Sequence, residues 1–426
     1  MLSRRIGCYL KALSENFDVS LLCIKDAEHP HIERYEKARI LRVPLKQGTL
    51  QERMEQFERA IRRQLESEDY AVAHSFDFVS GRVLAELKKQ LGYHLLFEAS
   101  TLCSQEWPYA QPDSTLSSEF LENIKSAETL AASNADALIV STLQQKNFLQ
   151  KQGIRQIPIH VLHNPALPRK KIPAHPEGYF QFLHLGGQTQ LASALTALHA
   201  LNILPPESKI HLAFGGHYGA ETKARLGTLR ESLNPKGTVL WPNLNCDIET
   251  DVLCAQSDAG LLILELESRN ADFGSAMPEL ADFSTWGLPI IAADLPCVRE
   301  FLNPNEALFF PPGDAFMLAE CMKTLASSPK LHAYLASSSL AKAPVFQPYA
   351  FMDEALRLYH GWIGQRFKPS EMFAELMPDI TPSISTPSAL TPSKAYTTPD
   401  LLPSSFPSPE QDTLIVPPPS LSPLPE

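Results

Sequence analysis

Short apolar runs of strand length alternate with helical patterns along this chain, and after a Pro-rich break the alternation starts again. FDVSLLCI (17–24), YAVAHS (70–75), HLLFEA (94–99), ADALIVS (135–141) and IPIHVLH (157–163) form a first set. FQFLHLGG (180–187), KIHLAFGG (209–216), GTVLWP (237–242), AGLLILE (259–265) and LPIIAAD (288–294) form a second. Near-continuous apolar strands separated by helices are the pattern of a parallel sheet covered on both faces, since parallel neighbours need a crossover and a helix supplies it. Between the sets lies NPALPRKKIPAHPEG (164–178), rich in Pro and charge, which reads as an interdomain linker. The chain of 426 residues also exceeds what one core organises. The expectation is therefore α/β: a Rossmann-like domain over 1–163, a second over 179–345, and a last amphipathic helix within 346–366.

The first half starts in an unusual way. A doubly wound domain begins with a strand that sits in the middle of its sheet. Here RRIGCYLKALSEN (4–16) reads as a helix, and the first strand-like run is FDVSLLCI. A missing central strand leaves its neighbours with unpaired backbone groups, which is costly when buried. The sequence therefore predicts that a first strand lies upstream of this helix.

Composition excludes several classes. A net charge of −11 argues against a nucleic-acid binder, which carries a basic excess. No apolar run approaches the ~20 residues of a membrane helix. The seven Cys include no CxxC pair, which points to reduced thiols rather than a disulfide framework or zinc site. From residue 367 to 426 the chain becomes Pro, Ser and Thr, with Thr-Pro-Ser at 381, 386 and 391, and disorder is expected. Glu28, His29, His31 and Glu33 have metal-like chemistry but surround Pro30, as a solvated turn would. GxGxxG, GxSxG and Walker motifs are absent.

Ligands of doubly wound sheets bind outside the carboxyl ends of the strands. Two of those ends carry Gly186-Gly187 and Gly215-Gly216, where a backbone can approach a phosphate closely or simply turn. Asp282 lies in PELADFSTWG, ahead of the strand LPIIAAD. Its carboxylate suits ribose hydroxyls, and equally a capping or solvated acid.

Several stretches together resemble a GT-B glycosyltransferase of family 4. They are ESEDYAVAHSFDFVSGRVLAELKKQLGYHLLFEAS, FEASTLCSQEWPY, AETLAASNADALIVSTLQQKNFLQKQGI followed by VLHNPA, SDAGLLILELES, PELADFSTWGLPIIAADLPCVREFL and ALFFPPGDAFMLAECMKTLASSP. The resemblance covers most of 1–345. It implies two Rossmann-like domains facing a cleft, with the donor on the C-terminal half and the acceptor on the N-terminal half. The implied reaction is sugar transfer from a nucleotide-diphosphate sugar, with retention, without a metal and without a further cofactor. The implied setting is the assembly of polysaccharide or glycoconjugate in the cytoplasm, with a glycan or lipid-linked acceptor and peripheral contact with the inner face of a membrane.

Residue by residue, the resemblance makes Asp282 the ribose-binding acid and Gly186 the glycine of the donor-phosphate loop, followed by Gly187 and Gln188. It sets His74 near the acceptor and the transferring sugar, though a buried structural histidine fits as well. Glu98 and Glu106 match acids of one subgroup, on the acceptor side. The departures are specific. The family's first acid should lie eight positions before Asp282, where this chain has Gly274, with Asp272 and Glu267 nearby. The family's Arg and Lys after the loop glycine are absent from Gly186-Gly187-Gln188-Thr189-Gln190-Leu191-Ala192-Ser193. Cations aimed at a leaving diphosphate are a large catalytic contribution. A second reading therefore stands beside the enzyme: a catalytically impaired relative that binds a nucleotide or serves as a scaffold.

Overall fold

The computed structural model describes residues 2–110, 118–166, 178–187, 191–217, 220–233, 237–240 and 247–363. The expected tail, most of the linker and Gln188 lie outside them.

The first half opens on α1 (Leu2–Leu13), then β1 (Ser20–Ile24). A hairpin follows, β2 (Ile32–Tyr35) and β3 (Ala38–Val43), turning at Glu36 with φ 53°. Next come α2 (Leu50–Ser67), β4 (Val72–Ser75), α3 (Phe78–Leu91), β5 (His94–Glu98), α4 (Cys103–Ala110), α5 (Ser118–Asn134), β6 (Ala137–Val140), α6 (Leu143–Lys151) and β7 (Ile159–Val161). Local chemistry fixes several boundaries. The Thr49 hydroxyl accepts from Glu52 N, and the Glu52 carboxylate accepts from Thr49 N, a capping box that starts α2. Asp77 accepts from the N–H groups of Val79 and Ser80 and starts α3. Gly92, at φ 77°, ends α3 in the left-handed cap.

These strands do not form one sheet. β1, β3 and β2 form a three-stranded sheet in that order, with β1 and β3 parallel. β4, β5, β6 and β7 form a separate parallel sheet in sequence order.

The second half comprises β8 (Phe180–Gly187), α7 (Leu191–Ile203), β9 (Ile210–His217), α8 (Ala220–Leu233), β10 (Val239–Leu240), α9 (Asp247–Ala255), β11 (Ala259–Leu262), α10 (Pro278–Trp286), β12 (Ile290–Ala293), α11 (Pro296–Arg299), β13 (Leu308–Phe310), α12 (Ala315–Ala326) and α13 (Pro329–Lys342). Its strands make one parallel sheet in the order β10-β9-β8-β11-β12-β13. Strands β11 and β12 are buried throughout, as two-sided covering requires. The order reverses between β8 and β11, and the crevice of such a sheet lies at that reversal. The last helix, α14 (Pro348–Ile363), returns to the first half, where Phe351 meets Tyr9 edge to face at 4.9 Å between ring centroids.

Candidate functional site

At the reversal, β8 ends in Gly186-Gly187, paired with Gly216 and His217 of β9. A side chain at Gly216 would meet the Gly186 carbonyl at 1.6 Å, and its φ is 129°. These glycines therefore first serve the close approach of two backbones. β11 runs on through buried Ile263 and Leu264 to Glu265. The Glu265 carboxylate accepts from the Thr196 hydroxyl at 2.9 Å. Burial, and then neighbouring Glu267, raise its pKa above the usual carboxylate value.

The chain from Arg269 to Phe273 makes a short π turn, and Gly274 follows with φ 91°. A Cβ there would lie 3.0 Å from the Gln144 side chain. This is the position at which the resemblance expects an acid. The backbone conformation and the glutamine packed over it leave glycine as the residue that fits. Asp272 is exposed on the turn.

Asp282 is buried on α10 and held from the other half. Both its oxygens accept from one nitrogen of Arg4 on α1, each at 2.8 Å. Its neighbour Arg5 is fully buried and donates to Glu98 Oε1 at 2.6 Å. Arg5 also donates to the Leu162 carbonyl at 2.8 Å and Asn164 Oδ1 at 3.2 Å, and its guanidinium lies 4.8 Å from the centre of the Phe351 ring. The Tyr9 hydroxyl donates to Glu98 Oε2 at 3.0 Å.

His74 completes this cluster. Its Nδ1 lies 2.8 Å from the Tyr359 hydroxyl, and its ring stacks on Phe76 at 4.3 Å between centroids. With the tyrosine donating, the proton resides on Nε2, 3.7 Å from Glu98 Oε2. Burial, with the Arg5 charge in support, lowers the His74 pKa to about 3, so the ring is neutral. The Glu98 charge nearby is already compensated by Arg5. In this state α14 covers the imidazole.

Glu106 belongs to a second cluster. It accepts from Arg269 at 3.1 Å, while Arg269 also donates to Glu267 at 2.7 Å and lies 4.6 Å from the centre of the Tyr109 ring. Gln144 donates to the Ala271 carbonyl, Gln145 to that of Gly274, and Glu300 accepts from Leu143 N. Apart from Arg269–Glu267, these contacts join residues at or beyond the carboxyl ends of strands in one half to their counterparts in the other. The carboxyl edge of the four-stranded sheet therefore faces the crevice of the six-stranded one.

Residues 3–165 match the model of the glycosyl transferase 4-like domain. A search of curated proteins finds no match to the chain. Among solved structures, sucrose-phosphate synthase from Thermosynechococcus elongatus superposes with a TM-score of 0.67 at 18% identity, over 85% of this chain and 93% of that one. WaaG, a glycosyltransferase involved in lipopolysaccharide biosynthesis, gives 0.64 at 15%, over 84% and 95%. Anabaena Alr3699/HepE in complex with UDP and glucose gives 0.63 at 14%, over 83% and 94%. The fold is GT-B, and the stretch similar to the glycosyl transferase 4-like domain forms its N-terminal half.

The structure thus brings His74 and Glu98 into one cluster and ties it through the adjacent Arg4 and Arg5 to Asp282. It sets Glu106 and Asp272 in or beside a second cluster, and Gly186 and Gly187 at the reversal point. Sequence reasoning missed Arg4, Arg5, Tyr9, Arg269, Glu265 and Tyr359. The paired arginines of RRIGCYL were legible only as a basic start to a helix, since nothing local marks a partner hundreds of residues away.

Proposed function

We propose that the chain is a glycosyltransferase that takes its sugar from a nucleoside diphosphate sugar lying against the carboxyl ends of β8 and β11. The observation that carries this reading is the facing of the two carboxyl edges, with Asp282 between them. The reported complexes of HepE with UDP and glucose support a nucleotide donor. In this reading Asp282 exchanges Arg4 for ribose hydroxyls, and Arg4 turns to the diphosphate. Such an exchange offsets the lack of Arg and Lys after Gly186, because a cation aimed at the leaving group stabilises the charge that develops there. His74 and Glu98 line the acceptor side, with Glu106 further along it. The resemblance supports retention without a metal and peripheral contact with the inner face of a membrane, and the involvement of WaaG in lipopolysaccharide biosynthesis supports a glycan or lipid-linked acceptor. No described helix is long and apolar enough to cross a membrane.

The loop without bases, and the glycine in place of an acid at 274, favour the second reading of a catalytically impaired relative that binds a nucleotide or serves as a scaffold. One experiment addresses both. Calorimetric titration with UDP, GDP, ADP and dTDP is run on the wild type and on Asp282→Asn, followed by assay of free nucleotide released from the matching nucleotide sugars. Binding of one nucleotide, weakened at least tenfold in Asp282→Asn, with release of nucleotide in the presence of acceptor, is expected. Binding without release selects the second reading. Failure of every nucleotide at millimolar concentration overturns the transferase reading and selects the scaffold form of the second.

A further inference from the structure

The chain passes between the halves twice, after β7 and before α14, and the two passages meet. Ala166 N donates to the Phe346 carbonyl at 2.8 Å. At Phe346 the seam also opens into a cavity of about 330 Å³. Leu143, Val161 and His163 of the first half line one side, and Phe301, Val345 and Phe346 of the second half line the other. None of the candidate site residues named from the sequence lines it. Leu143 and Val345 are each 52% exposed, so the rim is apolar where water meets it. Small-molecule sites are concave, mostly apolar enclosures with few polar groups, and they favour domain junctions.

The charged groups at the cavity are already engaged. The Glu300 carboxylate accepts from Leu143 N at 2.7 Å and from Gln144 N at 3.2 Å, at the start of α6. Lys342 pairs with Glu306 at 3.0 Å. His163 differs. Its Nδ1 lies 2.9 Å from the Ser141 carbonyl, which can only accept, so Nδ1 carries the proton of the neutral ring and Nε2 is an acceptor. No described residue bonds to Nε2. With Nδ1 turned to Ser141, Nε2 is the ring nitrogen offered to the cavity. Two rings flank His163. Phe301 lies edge to face with it at 5.0 Å between centroids, and Phe346 lies 6.4 Å from His163 and 5.8 Å from Phe301. An unmet acceptor between aromatic walls suits a planar ring that carries one donor.

We propose that this cavity is a binding site for a small neutral aromatic molecule with one N–H or O–H donor, of the phenol or indole class. The donor meets His163 Nε2, and the ring packs among Phe301, Val345 and Phe346. A charged molecule fits less well, since Glu300 and Lys342 are each compensated within the protein and a new charge against these walls would lose water without gaining a partner. Both halves supply walls, so the occupant bridges them. The site shares no residue with the donor position proposed above and does not depend on that reading.

The test titrates the full chain with 4-fluorophenol and, as the probe without a donor, 4-fluoroanisole. Binding is followed by fluorine NMR of the probe and by nitrogen NMR of protein labelled at histidine. 4-Fluorophenol is expected to bind with a Kd of about 1 mM or below, as suits so small a ligand. The anisole is expected to bind about tenfold more weakly, because it leaves Nε2 unmet. One histidine Nε2 signal should move with the phenol, and that signal should be missing from His163→Phe, to which the two probes should bind alike. Val345→Trp changes a half-exposed position, fills the cavity, and should weaken phenol binding at least about tenfold. Equal binding of the two probes to the wild type overturns the proposal. So does undiminished phenol binding to Val345→Trp, which would place the phenol elsewhere. Absence of binding at about 10 mM phenol also overturns it.

Discussion

Removing Arg5 tests the energetics of the junction most directly. Its side chain is fully buried, and so is that of Glu98, so their 2.6 Å contact lies away from solvent. Arg5→Met leaves a buried carboxylate with the Tyr9 hydroxyl as its remaining donor. Glu98→Leu leaves a buried guanidinium facing the Leu162 carbonyl, Asn164 and the Phe351 ring. Breaking a buried pair from one side costs about 3–5 kcal/mol, mainly because the surviving charge is uncompensated. The double variant Arg5→Met/Glu98→Leu has no such charge. It loses partners for Tyr9, Leu162 O and Asn164, worth about 1–3 kcal/mol together, and gains apolar contact. The double variant is therefore expected to be no less stable than either single one, with a coupling of at least about 2 kcal/mol. Urea unfolding at pH 7.5, followed by tryptophan fluorescence and by circular dichroism, measures it as midpoint shifts at unchanged slope. Singles that each cost under about 1 kcal/mol, or a double equal to their sum, would refute the reasoning.

Acid sensitivity should be set partly by two buried histidines, His74 with a pKa of about 3 and His184 of about 4. The unfolded chain takes up each proton near pH 6.5. Their contribution is therefore complete above that pH and falls by about 1.4 kcal/mol per unit for each histidine as pH drops toward the folded values. Unfolding midpoints from pH 7 to 5 should show about 2 kcal/mol lost per histidine, and His184→Phe should remove one share. Gly216→Ala should prevent normal pairing of β8 with β9, since its Cβ would lie 1.6 Å from the Gly186 carbonyl. A loss of soluble folded protein or a midpoint fall of several degrees would show it. Gly260→Ala drives a methyl to 2.5 Å from the Phe283 ring, and the overpacking should cost about 1–3 kcal/mol in urea unfolding. Thr49→Ala removes the capping box of α2 and should cost about 1 kcal/mol in the same assay.

The fold was legible where local pattern and tertiary burial agree. The apolar runs at 94–99, 135–141 and 259–265 became β5, β6 and β11 because strands covered on both faces have no polar side to hide. The hairpin β2–β3 was not legible, since Ile-Glu-Arg-Tyr is a polar strand at a sheet edge and carries little burial signal. β13 is three residues long, too short for a period to show. Site acids could be placed by their neighbourhood in sequence, but their partners could not. Asp282 and Arg4 are separated by 278 positions, and no periodicity reports a contact of that range.

Those partners change what the acids mean. Glu98, Glu106 and Asp282 are candidate site acids in the sequence, and each is held by an arginine: Arg5, Arg269 and Arg4. A buried carboxylate facing an empty cleft would be costly or would protonate, so compensation from within the protein is the stable arrangement. Two of the three bridges, at Asp282 and Glu106, also join the halves. A nucleoside diphosphate brings phosphate charge for an arginine and hydroxyls for a carboxylate, so it can take both members of the Arg4–Asp282 pair at once. Its binding is then an exchange of partners with little net burial of uncompensated charge. The apparent affinity is the intrinsic one reduced by the cost of opening the bridge. On the function proposed above, in a chain that lacks basic residues in the loop after Gly186, the contact between the two halves and the recognition of the donor draw on the same two side chains.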